Sequence, residues 1–297
     1  MSKISRRAAR IWDAWPIFSD LERRAYDRDF ATDGAAGWFR GIYATAAAAA
    51  GSAPPNQPLG YDNPAAARMY TDRLTTLYPS DYAAMFWLDR LFQLGARSVF
   101  DVGGHIGVAF YGFQTLMRFP ADVSWLVCDV PAVVARGCAR IKEVGGVQPL
   151  AYTADIAEGA GRDILFASGA LQYLGPSLAE LISAYPLKPR YILVNHLPVH
   201  HSETYFTLQN IGTAYCPYRI SSNEDALKGM ADLGYTMLDS WMNAEKSCFV
   251  PFAPEHSLDN YYGFVLGLDT SAQESATKLP MRLILGNRAL DGGNAGR

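Results

Sequence analysis

The stretch Val99-Phe100-Asp101-Val102-Gly103-Gly104-His105-Ile106-Gly107 limits the fold more than any other part of the chain. Its opening residues read as a buried strand with an acid at the C-terminal end. A glycine-rich turn follows, and the apolar run from Val108 to Phe119 can continue as a helix. A strand that passes through a tight glycine turn into a helix lets backbone N–H groups approach a ligand closely. From residue 97 onward, strand-like runs at Ser98–Val102, Ser124–Asp129, Pro149–Thr153, Ile164–Ser168 and Tyr191–His196 alternate with helix-like segments at 106–118, 131–144 and 177–184. Alternation of this kind argues for parallel βαβ units. Ser222-Asn223-Glu224-Asp225 reads as a capping box opening a helix that stops at Gly234. Two last runs, Tyr235–Trp241 and Tyr261–Leu268, are joined by a proline-rich loop and suggest an antiparallel finish. The expected fold is therefore α/β, a Rossmann-like seven-stranded sheet of five parallel strands plus a C-terminal β-hairpin.

Upstream of this pattern the chain is mixed. Ala46–Ala50 favours helix, Gly51 to Pro58 breaks any period, and residues 64–78 can form a second helix. Pro79-Ser80-Asp81 offers a helix start, Tyr82, Met85, Phe86 and Leu88 recur at helical spacing, and Gly95 is a stop. Residues 1–95 are read as a helical N-terminal lid, 96–270 as the sheet domain and 271–297 as a C-terminal tail. The lid has Trp12, Trp15, Phe18, Trp38, Phe39 and Tyr43 to bury and no core pattern of its own. It is expected over the C-terminal edge of the sheet, or against a second subunit in a homodimer.

Composition narrows the function by exclusion. With 297 residues, 49% hydrophobic and 19% charged, a large core can be buried. A net charge of −3, with no basic stripe, gives no electrostatic case for nucleic acid. Cys128, Cys138, Cys216 and Cys248 lack CxxC spacing and read as free thiols of a reducing compartment. No apolar run approaches 18 residues, so no membrane span is expected. Arg6, Arg7 and Arg10 are followed by Trp12, Asp13 and Trp15 rather than a signal core, and the expected location is cytoplasmic.

The candidate residues fall at strand ends, where ligands bind in α/β sheets. Asp101 can receive a cationic group, and Gly103, Gly104 and Gly107 let the backbone pass against a ligand. His105 stands where the nicotinamide fingerprint G-x-G-x-x-G would place its middle glycine. Asp129, 28 residues after Asp101, can accept both hydroxyls of a ribose, or serve the helix that starts at Pro131. Ser168 and Gly169 are small enough to leave ligand space, and Gln172 and Tyr173 would then face the reacting group, with Tyr173 the next candidate base after the histidines. His196, His200 and His201 follow the fifth strand and can supply a general base, with a preference for His200. The His196/His200 spacing could suit a metal on a helix, but Pro198 and the lack of an acid cluster argue against one, and no metal is expected.

Asp101-Val102-Gly103-Gly104-His105-Ile106-Gly107 resembles the D-x-G-G-x-x-G glycine loop of class I S-adenosylmethionine-dependent methyltransferases, for which five parallel strands and a hairpin are the usual sheet. The resemblance implies S-adenosylmethionine as cofactor, with Asp101 on its ammonium group. It also implies Asp129 at its ribose, Val130 among the cofactor-binding residues, Asp155 on the adenine amino group and Ile156 against the ring. With Cys128-Asp129-Val130-Pro131 the chain resembles small-molecule O-methyltransferases, but Gln172 stands where they keep a histidine base. A closer likeness is to a bacterial methyltransferase family associated with polysaccharide and natural-product clusters. It is carried by Gly60-Tyr61-Asp62, Asn195, Pro198, Thr207-Leu208-Gln209-Asn210, Pro217-Tyr218-Arg219-Ile220, Gly234-Tyr235, and Pro254 with Tyr262-Gly263. The function implied is methyl transfer to a small hydroxylated, sugar-like or natural-product acceptor. A nicotinamide-dependent oxidoreductase and a non-catalytic cofactor-binding protein are the alternatives.

Overall fold

The structure is a computed structural model that describes residues 16–145 and 149–268. The first elements are helix α1 (Pro16–Phe30), strand β1 (Phe39–Tyr43) and helix α2 (Ala46–Gly51), the last capped by Thr45, whose hydroxyl accepts from Ala48 N at 3.1 Å. Helix α3 (Tyr82–Gln93) leads into β2 (Ser98–Val102), α4 (Val108–Phe113), β3 (Ser124–Cys128), α5 (Pro131–Val144), β4 (Leu150–Thr153) and β5 (Ile164–Ser168). Then come α6 (Leu178–Ser183), β6 (Tyr191–Leu197), β7 (Val199–His200), β8 (Tyr205–Asn210), β9 (Tyr215–Ser222), α7 (Asn223–Leu227), β10 (Tyr235–Asn243) and β11 (Tyr261–Leu268).

Seven strands form one sheet in the order β10-β11-β6-β5-β2-β3-β4. β4, β3, β2, β5 and β6 run parallel, and the hairpin β10–β11 closes the sheet antiparallel to β6. This is the class I methyltransferase arrangement expected from the sequence. The period of two along each strand sorts the core into two layers. Phe100, Val102, Leu126, Leu165, Ile192 and Phe264 pack with Leu178, Leu181 and Ile182 of α6 and with Leu227 of α7. Val99, Trp125, Val127, Ile164, Phe166 and Leu193 pack with Leu88 and Leu91 of α3 and with Phe110 and Phe113 of α4. Each such buried Leu or Phe contributes about 1.5–3 kcal/mol. Asp101 shares the parity of Val99, so its carboxylate lies on the Trp125 side of the sheet.

A second sheet was not anticipated. β1, β8, β9 and β7 pair in that order, and β1 joins β8 antiparallel across more than 160 residues of sequence, Phe39 opposite Gln209. The N-terminal aromatics therefore bury themselves here. Tyr26 stacks on Trp38 at 5.0 Å, Phe30 on Tyr215 at 5.5 Å, and Phe39 meets Tyr218 edge-on at 5.0 Å. Trp12, Trp15, the Phe18 side chain and the tail 271–297 lie outside what the structure describes, so the expectation for those aromatics is carried here by Trp38, Phe39 and Tyr43.

Three local expectations change. Residues 64–78 form short 3-10 turns at Ala66–Arg68 and Asp72–Leu74 rather than a helix. The segment expected as a helix over 106–118 is α4 alone, because Gly107 at φ +84° stands at its N-terminus. The Ser222 cap forms, its hydroxyl accepting from Asp225 N at 3.0 Å, but α7 stops at Leu227. Residues 195–209 contain the end of β6, β7 and most of β8.

Candidate functional site

The C-terminal ends of the parallel strands open into a cavity of about 1080 Å³. Asp101, Gly103, Gly104, His105, Asp129, Val130, Ile156, Ser168, Gly169, Gln172, Tyr173 and His196 all line it. Gly107, Asp155, His200 and His201 do not.

The glycine turn forms one half of the cavity. Gly103 takes φ +67°, donates from its N–H to Cys128 O at 2.8 Å, and lies so close to Ala170 that a Cβ would collide with that residue's methyl. A Cβ on Gly104 would strike the Asp101 carboxylate. Asp101 is fully buried and accepts one hydrogen bond, from Trp125 Nε1 at 3.0 Å. Burial pushes its pKa up to about 7 against the pull of that bond, and the Asp129 charge adds to the rise. A cationic ligand group beside it would restore the carboxylate. Asp129 accepts from His105 N at 2.9 Å and from Val130 N at 2.8 Å, while burial raises its pKa to about 6. A carboxylate offers about four acceptor sites, so two backbone bonds leave room for a ligand diol. The ribose role and the helix-terminus role weighed in the sequence are therefore compatible. His105, at φ +53°, donates from Nε2 to Ala66 O at 3.0 Å. Its Nδ1 is buried with no partner among the described residues.

Asp155 is exposed and caps the turn after β4, accepting from Ala157 N at 2.9 Å. The adenine contact implied for it does not match this placement, whereas Ile156 and Ala154 beside it do line the cavity.

The other half is built around His196. β6 carries one residue more than β11 between the pairs Val194–Phe264 and Leu197–Tyr262. A bulge of this kind re-aims a side chain, and His196 sits in it at φ +56°. Its Nδ1 lies 3.2 Å from Ser168 Oγ, while Nε2 is buried without a partner among the described residues. With Nδ1–H donating to Ser168, Nε2 presents its lone pair to the cavity. Burial, then the nearby Lys246 and Arg73 charges, lowers the His196 pKa to about 3, so the ring is neutral. Asn195 locks the bulge. It donates to Ser80 O at 3.0 Å and accepts from Trp241 Nε1 at 3.1 Å and Asn243 Nδ2 at 2.8 Å.

The preference for His200 does not survive the geometry. Its Nε2 donates to Glu255 O at 3.0 Å and its Nδ1 accepts from Glu203 N at 3.2 Å, so both nitrogens are used away from the cavity. His201 is exposed. Tyr173 is in the cavity, but its hydroxyl donates to Gln209 Oε1 at 2.6 Å and burial holds its pKa well above the usual phenol range. Its proton is committed to Gln209, which does not suit it to the role of base. Gln172 is buried with Oε1 free of partners among the described residues.

Residues outside the strand-end candidates complete this half. Arg73 binds Asp81 at 2.7 Å and lies 3.6 Å above the Tyr78 ring. Tyr61, Gln209, Tyr218, Lys246 and Tyr261 share the lining. Tyr61, Gln209 and Tyr218 belong to the short motifs of the bacterial family resemblance, which was the one sequence signal for them. Among the described residues, no group of three or more His, Cys, Asp or Glu side chains is placed to hold a metal ion. No helix there is long and apolar enough to cross a membrane.

No protein-family model and no curated protein sequence matches the chain. Among solved structures, it is similar to magnesium protoporphyrin IX methyltransferase of Synechocystis PCC 6803 with bound S-adenosylmethionine, at 17% identity over 67% of this chain and 86% of that one, TM-score 0.42. It is similar to the glycopeptide N-methyltransferase MtfA complexed with S-adenosylhomocysteine, at 12% identity over 70% and 99%, TM-score 0.46. A third likeness is to an S-adenosylmethionine-dependent methyltransferase of Clostridium acetobutylicum ATCC 824, at 11% identity over 67% and 95%, TM-score 0.41. At these scores and identities the likeness assigns no residue role and no substrate to this chain.

Proposed function

We propose that the chain is an S-adenosylmethionine-dependent O-methyltransferase acting on a small hydroxylated acceptor, sugar-like or natural-product in kind. The observation that carries this reading is one cavity with two chemically distinct halves, meeting where β5 and β6 end. The glycine-turn half fits the cofactor. Gly103 and Gly104 hold the backbone clear, buried Asp101 has acceptor capacity for an ammonium group, and Asp129 has acceptor capacity for a diol. Bound there, S-adenosylmethionine supplies a methyl group already activated on a sulfonium. The protein's task is then alignment and proton removal.

In the acceptor half, the neutral His196 takes the hydroxyl proton on Nε2 as the new O–C bond forms. Ser168 fixes the ring through Nδ1. Tyr61, Tyr173 and Gln209 form a hydrogen-bonded wall that orients the acceptor, with Tyr61 Oη 3.5 Å from Tyr173 Oη. The segment before residue 96 supplies Tyr61, Arg73, Tyr78 and Asp81 to this half and packs Tyr70 and Ala66 against His105 of the glycine turn, so it covers both halves of the cavity.

Production of S-adenosylhomocysteine against a panel of sugar and phenolic acceptors tests the proposal. Turnover that needs both an acceptor hydroxyl and His196 is expected. Turnover with amines alone, or with hydroxyl acceptors at an undiminished rate in His196→Ala, overturns the O-methyl assignment.

A further inference from the structure

Two cations, Arg73 and Lys246, reach His196 across the cavity, whose lining before residue 96 also carries Asp62, Asp72 and Asp81. Arg73 is paired with Asp81, whose Oδ2 also accepts from Tyr78 N at 2.8 Å, and the guanidinium is clamped over the Tyr78 ring. Its side chain is only 14% exposed, so the pair is set before any ligand arrives. The bond from Asn195 to Ser80 ties this turn to the strand that carries His196. Lys246, in the turn after β10, lines the same cavity and has no ion pair among the described residues. Two cations thus face an imidazole whose Nε2 is buried and unpartnered. A wholly neutral acceptor would leave His196 opposed by both cations.

Resting on the methyltransferase reading, we infer that the acceptor carries an oxyanion, a carboxylate or a phosphate monoester, which sits between Arg73 and Lys246 and directs its hydroxyl to His196 Nε2. Arg73 offers a planar fork for such a group and Lys246 a point charge. The anion does a second thing. The charged groups that reach His196 are Lys246 and Arg73, with Asp81 and Glu245 acting on Lys246. Cancelling the two cations makes His196 more basic when the acceptor is in place, and that is when a base is needed.

The test follows the His196 imidazole by NMR in the full chain, with ¹³C-labelled histidine and His196→Ala for assignment. Glucose, glucuronate and glucose 6-phosphate serve as matched neutral, carboxylate and phosphate probes, added with S-adenosylhomocysteine. Glucuronate or glucose 6-phosphate is expected to bind at least tenfold tighter than glucose and to move the His196 titration to higher pH. Whichever of the two does so identifies the anion. In Lys246→Met, a change at an exposed residue, the free protein's His196 titration should already lie higher, and both anionic effects should shrink. The inference is overturned if the anionic probes bind and titrate like glucose, or if their advantage persists in Lys246→Met. S-adenosylhomocysteine affinity is read on the same samples. Its absence contradicts the cofactor reading, whereas its presence with no anion preference contradicts only the acceptor class.

Discussion

At the scale of single residues, four side chains have distinct expected signatures. His196→Ala should lower kcat by about 10²–10⁴-fold with cofactor affinity unchanged. His200→Ala should leave kcat alone and lower Tm, because it breaks the bonds to Glu255 O and Glu203 N that hold the turn after β7. Rates and thermal unfolding on the two variants separate the roles. If Asp101 receives the cofactor's ammonium group, it should set the pH dependence of binding. Its carboxyl is held protonated up to about pH 7 and must ionise to receive an ammonium group. Affinity should therefore rise as pH climbs through about 7 and fall below it. Proton release, read by calorimetry in buffers of different ionisation enthalpy, should disappear in Asp101→Asn. His196 has the opposite displacement. It stays neutral in the folded chain down to about pH 3, so it costs stability as pH falls from the ordinary histidine range towards that value. Asp129→Ala should lose about 1.5–3 kcal/mol per charge-assisted bond to the cofactor. It should also lower Tm, since the His105 and Val130 N–H groups lose their acceptor. Asp129→Asn should lose less affinity.

At the scale of elements, the turn between β2 and α4 is a fitted part rather than a generic glycine loop. A side chain at Gly103 would be aimed at Ala170, on the exit of β5, and not first at the ligand, as a reading of the turn alone suggests. Gly103→Val should therefore lower Tm as well as abolish S-adenosylmethionine binding, and Gly104→Ala should do so by displacing Asp101. Unfolding curves and calorimetry on the two variants check this. The same contrast explains what was legible. β2, β5 and β11 were readable to the residue because their apolar runs are local and bounded. The second sheet was not. Pro217 stands inside β9 and argues against a strand there, Gln209 and Asn210 blur β8, and the partner strand β1 lies far upstream. Asp101 and its glycines were legible as one contiguous motif. Arg73 and Lys246 were not, because two distant segments bring them together, and Gln209 was visible only within the Thr207–Asn210 motif of the family resemblance. His196 was read as one of three candidates, but the bulge that turns it towards the cavity depends on pairing with β11.

At the scale of the whole molecule, the N-terminal segment acts through the second sheet. Removing residues 1–60 takes away β1 and α2, leaves the β8 edge unpaired, and strips Phe30 from Tyr215. The truncated chain should associate through that open edge and lose acceptor turnover. Light scattering together with an S-adenosylhomocysteine release assay checks it, and a monomeric, fully active truncation would count against this role. The central claim is that the cavity at the ends of β2, β3 and β5 holds S-adenosylmethionine. The most direct measurement is calorimetric titration of the full chain with S-adenosylmethionine, S-adenosylhomocysteine and NAD. Saturable binding of the first two at a single site, weakened in Asp101→Asn and Asp129→Ala, with no binding of NAD, is the expected result. Binding of NAD in their place, or S-adenosylhomocysteine affinity unchanged in both variants, would contradict it.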